Sequence, residues 1–111
     1  DPGTAWIVAD DHNRIVAASS AALELLGWAD GLVGQRLLIL IPAQLREAHL
    51  AGFSRIVVSG EGQLLGVPLA LPAMCADGSE IPITLTLTRH AARAGRHVYL
   101  GVLEGRATEE I

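Results

Sequence analysis

The chain is expected to fold as one α+β domain, a five-stranded antiparallel sheet with several helices gathered on one face. Three observations predict it. Residues 81–88 alternate Ile81, Ile83, Leu85 and Leu87 with Pro82, Thr84, Thr86 and Thr88, the period of a strand with one packed face and one wet face. Leu45, His49, Gly52 and Ile56 recur at the i, i+4, i+7, i+11 spacing that stacks on one face of a helix. Polar turns at 10–13 and 77–78 join apolar runs, so the strands come as hairpins.

The elements follow in order. "AWIVADD" (5–11) and "RIVAAS" (14–19) form the first hairpin around Asp-Asp-His-Asn. Ser19 or Ser20 caps a helix through "AALELLGW", where Ala22, Leu25 and Leu26 share a face and Gly27 supplies the stop. "ADGLVGQRLLILI", punctuated by Gly31 and Gly34, reads as short helical turns. Pro42 suits the first turn of a long helix over 43–58, which "SGEG" (59–62) ends. The second half is a three-strand meander: a strand before Asp77-Gly78, the strand "IPITLTLT", a polar connection "RHAARAGR" (89–96), and a last strand "HVYLGVLEG".

Composition bounds the function. At 111 residues and 50% apolar, the chain suffices for one core, burying roughly two thirds of its unfolded surface. Its 12 acidic and 8 basic residues, net −4, argue against direct nucleic-acid contact, which needs clustered positive charge. The longest apolar runs, such as "LLILI", fall far short of the ~20 residues of a membrane span, so a cytoplasmic protein without membrane contact is expected. The single cysteine, Cys75, excludes an internal disulfide and a multi-cysteine metal site. Residues 1–111 are expected to be one module of a longer protein whose output domain lies elsewhere.

"SSAALELLGW", "LVGQ", "LLILIPAQLREAHLAGFSRIV", "ADGSEIPITLTL" and "YLGVLEG" together resemble a bacterial PAS domain over nearly the whole chain. The resemblance implies the five-stranded PAS sheet with a helical flank, enclosing a pocket for heme, flavin, a small metabolite or nothing, and a role in sensing rather than catalysis. Within the family, "REAHLAGFSR" is similar to the helix of heme-bearing oxygen-sensor PAS domains. That resemblance implies His49 as the iron ligand, Arg55 as a propionate partner, and Leu64, Leu85 and Leu87 as apolar neighbours of the heme. Two positions depart from the pattern: the distal arginine falls on Leu69, and a second propionate partner, a histidine, falls on Gln63. Gly105 also stands where many PAS domains carry the aspartate of an Asp-x-Thr ending.

Each candidate has a plainer reading. His49 is either an axial ligand or a pocket histidine satisfied by one acceptor and one donor. Arg55 is either a carboxylate fork or a solvated arginine. Cys75 lacks the Asn-Cys-Arg-Phe motif of flavin photoreceptors and reads as an inert strand residue, so flavin is not expected. "GEGQLLG" follows a helix and spaces its glycines wrongly for a dinucleotide loop. "RHAARAGRH" reads as a solvated loop rather than a metal site. No nucleophile elbow or paired-carboxylate arrangement suggests an enzyme.

The expected site is therefore a mostly aliphatic pocket. His49, Leu45, Gly52, Phe53 and Ile56 come from the helix, and Leu64, Leu69, Leu85 and Leu87 from the sheet, with Leu100 and Val102 joining the wall. Gly52 leaves space one turn after His49, unless Phe53 or Trp28 fills it. The function expected is a sensory PAS domain of a bacterial transcription regulator or sensor protein, taking a small-molecule ligand. The alternatives are a heme-binding gas or redox sensor through His49, with Arg55 on the heme, and a ligand-free module that forms a homodimer through its chain termini and outer sheet face.

Overall fold

The computed structural model of the chain describes residues 3–51 and 65–105. Strands β1 (Ala5–Asp10) and β2 (Ile15–Ala18) form the first hairpin, and helix α1 (Ser20–Leu26) follows. Two 3-10 turns, Leu37–Leu40 and Ala43–Leu45, lead into a helical stretch at 46–51. Strands β3 (Leu69–Met74), β4 (Glu80–Ala91) and β5 (His97–Gly105) complete one antiparallel sheet in the order β2-β1-β5-β4-β3. The α+β class and the hairpin-helices-meander order expected from the sequence are those observed.

Local chemistry explains the boundaries. Ser19 caps α1, its Oγ accepting from the Ala22 N–H at 3.2 Å and the Trp6 N–H at 2.9 Å. Gly27 ends α1 at φ 75, the left-handed conformation in which a residue without Cβ is unstrained. Pro42, buried, stands just before the Ala43–Leu45 turn rather than within it, and its carbonyl accepts from the Leu45 N–H at 2.9 Å. The β3–β4 hairpin closes where Asp77 Oδ1 accepts from the Ser79 N–H at 2.9 Å and hydroxyl at 2.6 Å.

Register fixes which side chains share a face, because residues directly opposite on antiparallel strands point to the same side. Ala5, Ile7 and Ala9 of β1 stand opposite Leu103, Gly101 and Tyr99 of β5. Those in turn face Leu85, Leu87 and Arg89 of β4, and Leu85 faces Leu69 of β3. This inner face carries the core: Ala5, Ile7, Ile83, Leu103 and Ala73 pack with Ala22 and Leu26 of α1 and with Leu32 and Leu40.

Four expectations need correction. Leu100 and Val102 do not join Leu85 and Leu87, because Leu100 pairs with Val8 and Thr88, and Val102 with Trp6 and Thr86, on the opposite face. Strand β4 continues past Thr88 through Arg89, His90 and Ala91, since β5 offers Tyr99, Val98 and His97 as partners and pairing outweighs polar composition. Thr84, Thr86 and Thr88 are half-buried rather than wet: Thr86 and Thr88 stand opposite Val102 and Leu100 of β5, and Thr84 lies between Ala70 of β3 and Glu104 of β5. Cys75 lies one residue beyond β3, in the hairpin turn. The expected helix end at 52–58 and "SGEG" fall outside the described residues.

Candidate functional site

The helical stretch that carries His49 is anchored at its start, where Arg46 Nε donates to the Ile41 carbonyl at 2.9 Å. His49 is half-buried, and its Nε2 lies 3.4 Å from Asn13 Oδ1. That is the long limit of a hydrogen bond, so the contact is weak. Asn13 is a fixed partner. It sits buried in the β1–β2 turn at φ 63, a left-handed conformation that asparagine tolerates, and its backbone is held on both sides. Its N–H donates to the Asp10 carbonyl at 3.1 Å and its carbonyl accepts from the Leu37 N–H at 2.9 Å. Burial pushes the His49 imidazole below the ordinary histidine range, so the ring is neutral at neutral pH. A neutral imidazole is the form that can accept a hydrogen bond or ligate a metal.

The sheet brings Leu69, Leu85 and Leu87 together on its inner face, all half-buried. Gly101 lies between the leucines of β4 and Ile7: a Cβ there would stand 3.0 Å from Leu85 Cδ1 and 3.6 Å from Leu87 Cδ2. The two leucines therefore lean over Gly101, where an added side chain would press first on Leu85. The chain returns to this edge after residue 64, with Leu65 bridged to Leu87 and the Gly66 N–H donating to the Leu87 carbonyl at 2.7 Å.

One row further, toward the Asn13 end, the inner face turns polar. Arg89 stands opposite buried Tyr99, which stands opposite Ala9. Arg89 Nη2 lies 3.0 Å from His97 Nε2 and 3.2 Å from His97 Nδ1. Asn13 and Tyr99 carry no signal in the sequence, and Arg89 and His97 figure there only as the ends of "RHAARAGRH", whose expected reading as a solvated loop the pairing of β4 with β5 corrects. The signal for Arg89 was present: continuing the alternation of Leu85 and Leu87 by two residues sets it on the same face.

Leu45 is half-buried in its 3-10 turn, one helical turn before His49. Gly52, Phe53, Arg55, Ile56, Gln63 and Leu64 lie outside the described residues. Two surface grooves lie elsewhere. One of about 440 Å³ runs between Thr4, Leu25 and Gly105, and one of about 340 Å³ follows the β3–β4 hairpin at Leu71 and Ile81. Neither includes His49 or the leucine row.

Asp10, Asp11 and His12 bring three potential ligand atoms within 4.8 Å of one another, but a guanidinium already occupies the cluster. Arg96 Nη2 bonds Asp11 Oδ1 and lies 2.7 Å from His12 Nδ1, and this pairing holds the Asp11 carboxyl below the usual carboxylate range. The contact clasps the β1–β2 turn to the β4–β5 connection. Among the described residues no helix is long and apolar enough to cross a membrane.

No family model matches the chain. It is 34% identical over 97 residues to an uncharacterized protein of Azorhizobium caulinodans, covering 86% of this chain and 13% of that protein. It is 31% identical over 84 residues to the sensor protein FixL of Bradyrhizobium diazoefficiens, covering 75% of this chain and 17% of FixL. The chain thus spans less than a fifth of the length of these relatives. Among solved structures, it is similar to the PAS domain of a protein from Colwellia psychrerythraea, with a TM-score of 0.76 at 16% identity over 94% of this chain and 86% of that one. It is similar also to the PAS domain of a Desulfitobacterium hafniense protein, with a TM-score of 0.74 at 12% identity over 94% and 93%.

Proposed function

The chain is a PAS-fold domain, and from that premise we propose that it serves as the sensory module of a bacterial signalling protein, binding a small ligand between His49 and the inner sheet face. One observation carries the reading. The inner face is packed under α1, with half-buried Leu85 at the edge of that core, and beyond it half-buried Leu69 and Leu87 lead toward Asn13 and its His49 contact. An apolar wall ending in a few polar groups is the composition of a small-molecule site. The partial match to FixL, a sensor protein, supports the signalling context. A ligand there would act by favouring one of two arrangements of the helical flank, which requires a different affinity for each.

Heme is the second reading, favoured by a half-buried, neutral imidazole. His49 would hold the iron through a ring nitrogen, and a ligand taking Nε2 would displace the 3.4 Å contact with Asn13. Leu85 and Leu87 would offer the porphyrin an apolar surface. The match to the donor set is partial, since Leu69 supplies no polar group on that wall.

The test is a titration of the 111-residue chain with a neutral apolar probe, octan-1-ol, followed by NMR. Saturable shifts at Leu69, Leu85, Leu87 and the 46–51 helix are expected. Their absence, with a dimer forming through Trp6, Val8, Leu100 and Val102 of the outer face, would overturn the pocket in favour of the ligand-free module. Hemin is the parallel probe: a sharp Soret band that His49→Ala abolishes would assign heme, and a band indifferent to that change would remove His49 as its ligand.

A further inference from the structure

Among the described residues, Asn13 is the one buried residue whose side chain carries an amide or a charge, and it is 8% exposed. Its own turn makes no use of the carboxamide. Asp10 Oδ1 accepts from the N–H groups of His12 at 2.9 Å and Arg14 at 3.0 Å, and the Asn13 backbone is bonded on both sides. Nor does the left-handed φ of 63 call for this side chain, since glycine adopts that conformation without strain. A carboxamide offers two N–H donors and an acceptor oxygen. Here the oxygen makes the weak 3.4 Å contact with His49, and Nδ2 makes no hydrogen bond among the described residues. A buried amide in that condition is disfavoured unless something meets its donors. Nδ2 is within reach of a small molecule, unlike Trp28 Nε1, which is sealed off without a partner.

We propose that Asn13 is the hydrogen-bond anchor of the pocket, its Nδ2 donating to the carbonyl oxygen of a small neutral apolar ligand, such as a ketone or lactone, whose hydrocarbon part lies toward Leu87. The inference rests on the pocket reading above and names the class of ligand. The donor is itself neutral, and the chain as a whole carries −4, so its overall field favours a neutral carbonyl over a carboxylate. The turn is pinned to Asp10 on one side and to the Leu37 N–H on the other, which holds the donor in place before a ligand arrives. The same amide touches the helix through His49, so a ligand held at Nδ2 sits against the helical flank whose arrangement it is to bias.

Acetophenone and α-methylstyrene have nearly the same shape and differ in a carbonyl oxygen against a methylene group. Each is titrated into the 111-residue chain, with NMR shifts read at the Asn13 side-chain amide, Leu87 and the 46–51 helix. Both probes are expected to move Leu87 saturably, and only acetophenone to move the Asn13 amide signals. Asn13→Gly, which suits the turn, should weaken acetophenone by about three- to tenfold, the range of one neutral hydrogen bond, and change α-methylstyrene by less than about twofold. Asn13→Asp keeps the shape and the oxygen but removes the donors, and should weaken acetophenone at least as much as Asn13→Gly does. Acetophenone that binds without moving the Asn13 amide signals, or that loses no more affinity than α-methylstyrene in Asn13→Gly, would overturn the anchor and leave the pocket standing. Binding of neither probe would overturn both.

Discussion

The two ends of the inner sheet face differ although the same strands build them. Under α1, Ala5, Ala22, Leu26, Ile83 and Leu103 are buried together and none carries a polar side chain. At the other end, beyond Leu87 and Gly101, the same face presents Tyr99, Arg89 and His97 beside the Asn13–His49 contact. The lesson is a division of labour. Dense aliphatic packing at one end supplies the stability that lets the other keep half-buried polar groups, which an interior tolerates only when they are satisfied.

The sharpest way to break this comparison is to remove one leucine from each end. Leu26 is 1% exposed, and Leu26→Ala should cost about 2–5 kcal/mol through lost burial and the cavity left behind. Leu87 is only half-buried, and Leu87→Ala should cost about 1 kcal/mol. Urea unfolding of the two variants reads the difference directly. Equal losses would mean that the two ends are packed alike.

A middle-sized effect sharpens the same contrast at the junction of β1 and α1. Ser19 Oγ accepts from the Trp6 and Ala22 N–H groups and donates to the Thr4 carbonyl at 3.0 Å. One hydroxyl thus ties the strand to the helix that covers the packed end. Ser19→Ala should cost roughly 1–2 kcal/mol, with Ser19→Thr recovering part of it. A loss well below that, measured by the same unfolding, would show that packing alone seats α1.

Much of the packed end was legible in the sequence, because its signals are local. Ser19 and Gly27 bracket α1, Asp77-Gly78 closes a hairpin, and the alternation from Ile81 to Leu87 names the strand and its face. The polar end was legible only in part. His49 stands out at a helical spacing, yet its partner Asn13 is 36 residues away in a turn, a distance no local pattern bridges. Leu100 and Val102 looked like wall residues because both are apolar, but a strand apolar on both faces does not reveal its register, and a one-residue offset reverses every side chain. The polar composition of "RHAARAGR" points to a loop at Arg89, whereas cross-strand partners in β5 draw its first three residues into the sheet.

The smallest effect probes the polar end through pH. Burial lowers the proton affinity of His49 in the folded chain below that of the unfolded one. As pH falls past about 6.5, the ordinary value for histidine, the unfolded chain takes up the proton first and gains stability relative to the fold. His49 therefore contributes stability that is fully present above that pH and is lost as pH falls toward and through the folded value. His49→Gln keeps a polar group near Asn13 but cannot titrate. Between about pH 8 and pH 5 the unaltered chain should lose more stability than His49→Gln, with the two curves running parallel above pH 7. Because the ring is half-exposed, solvent softens the penalty, and this effect should be the smallest of the three. Paired urea midpoints across that range decide it: identical slopes would show that the ring is as well solvated folded as unfolded, and the polar end would then be open surface rather than the wall of a site.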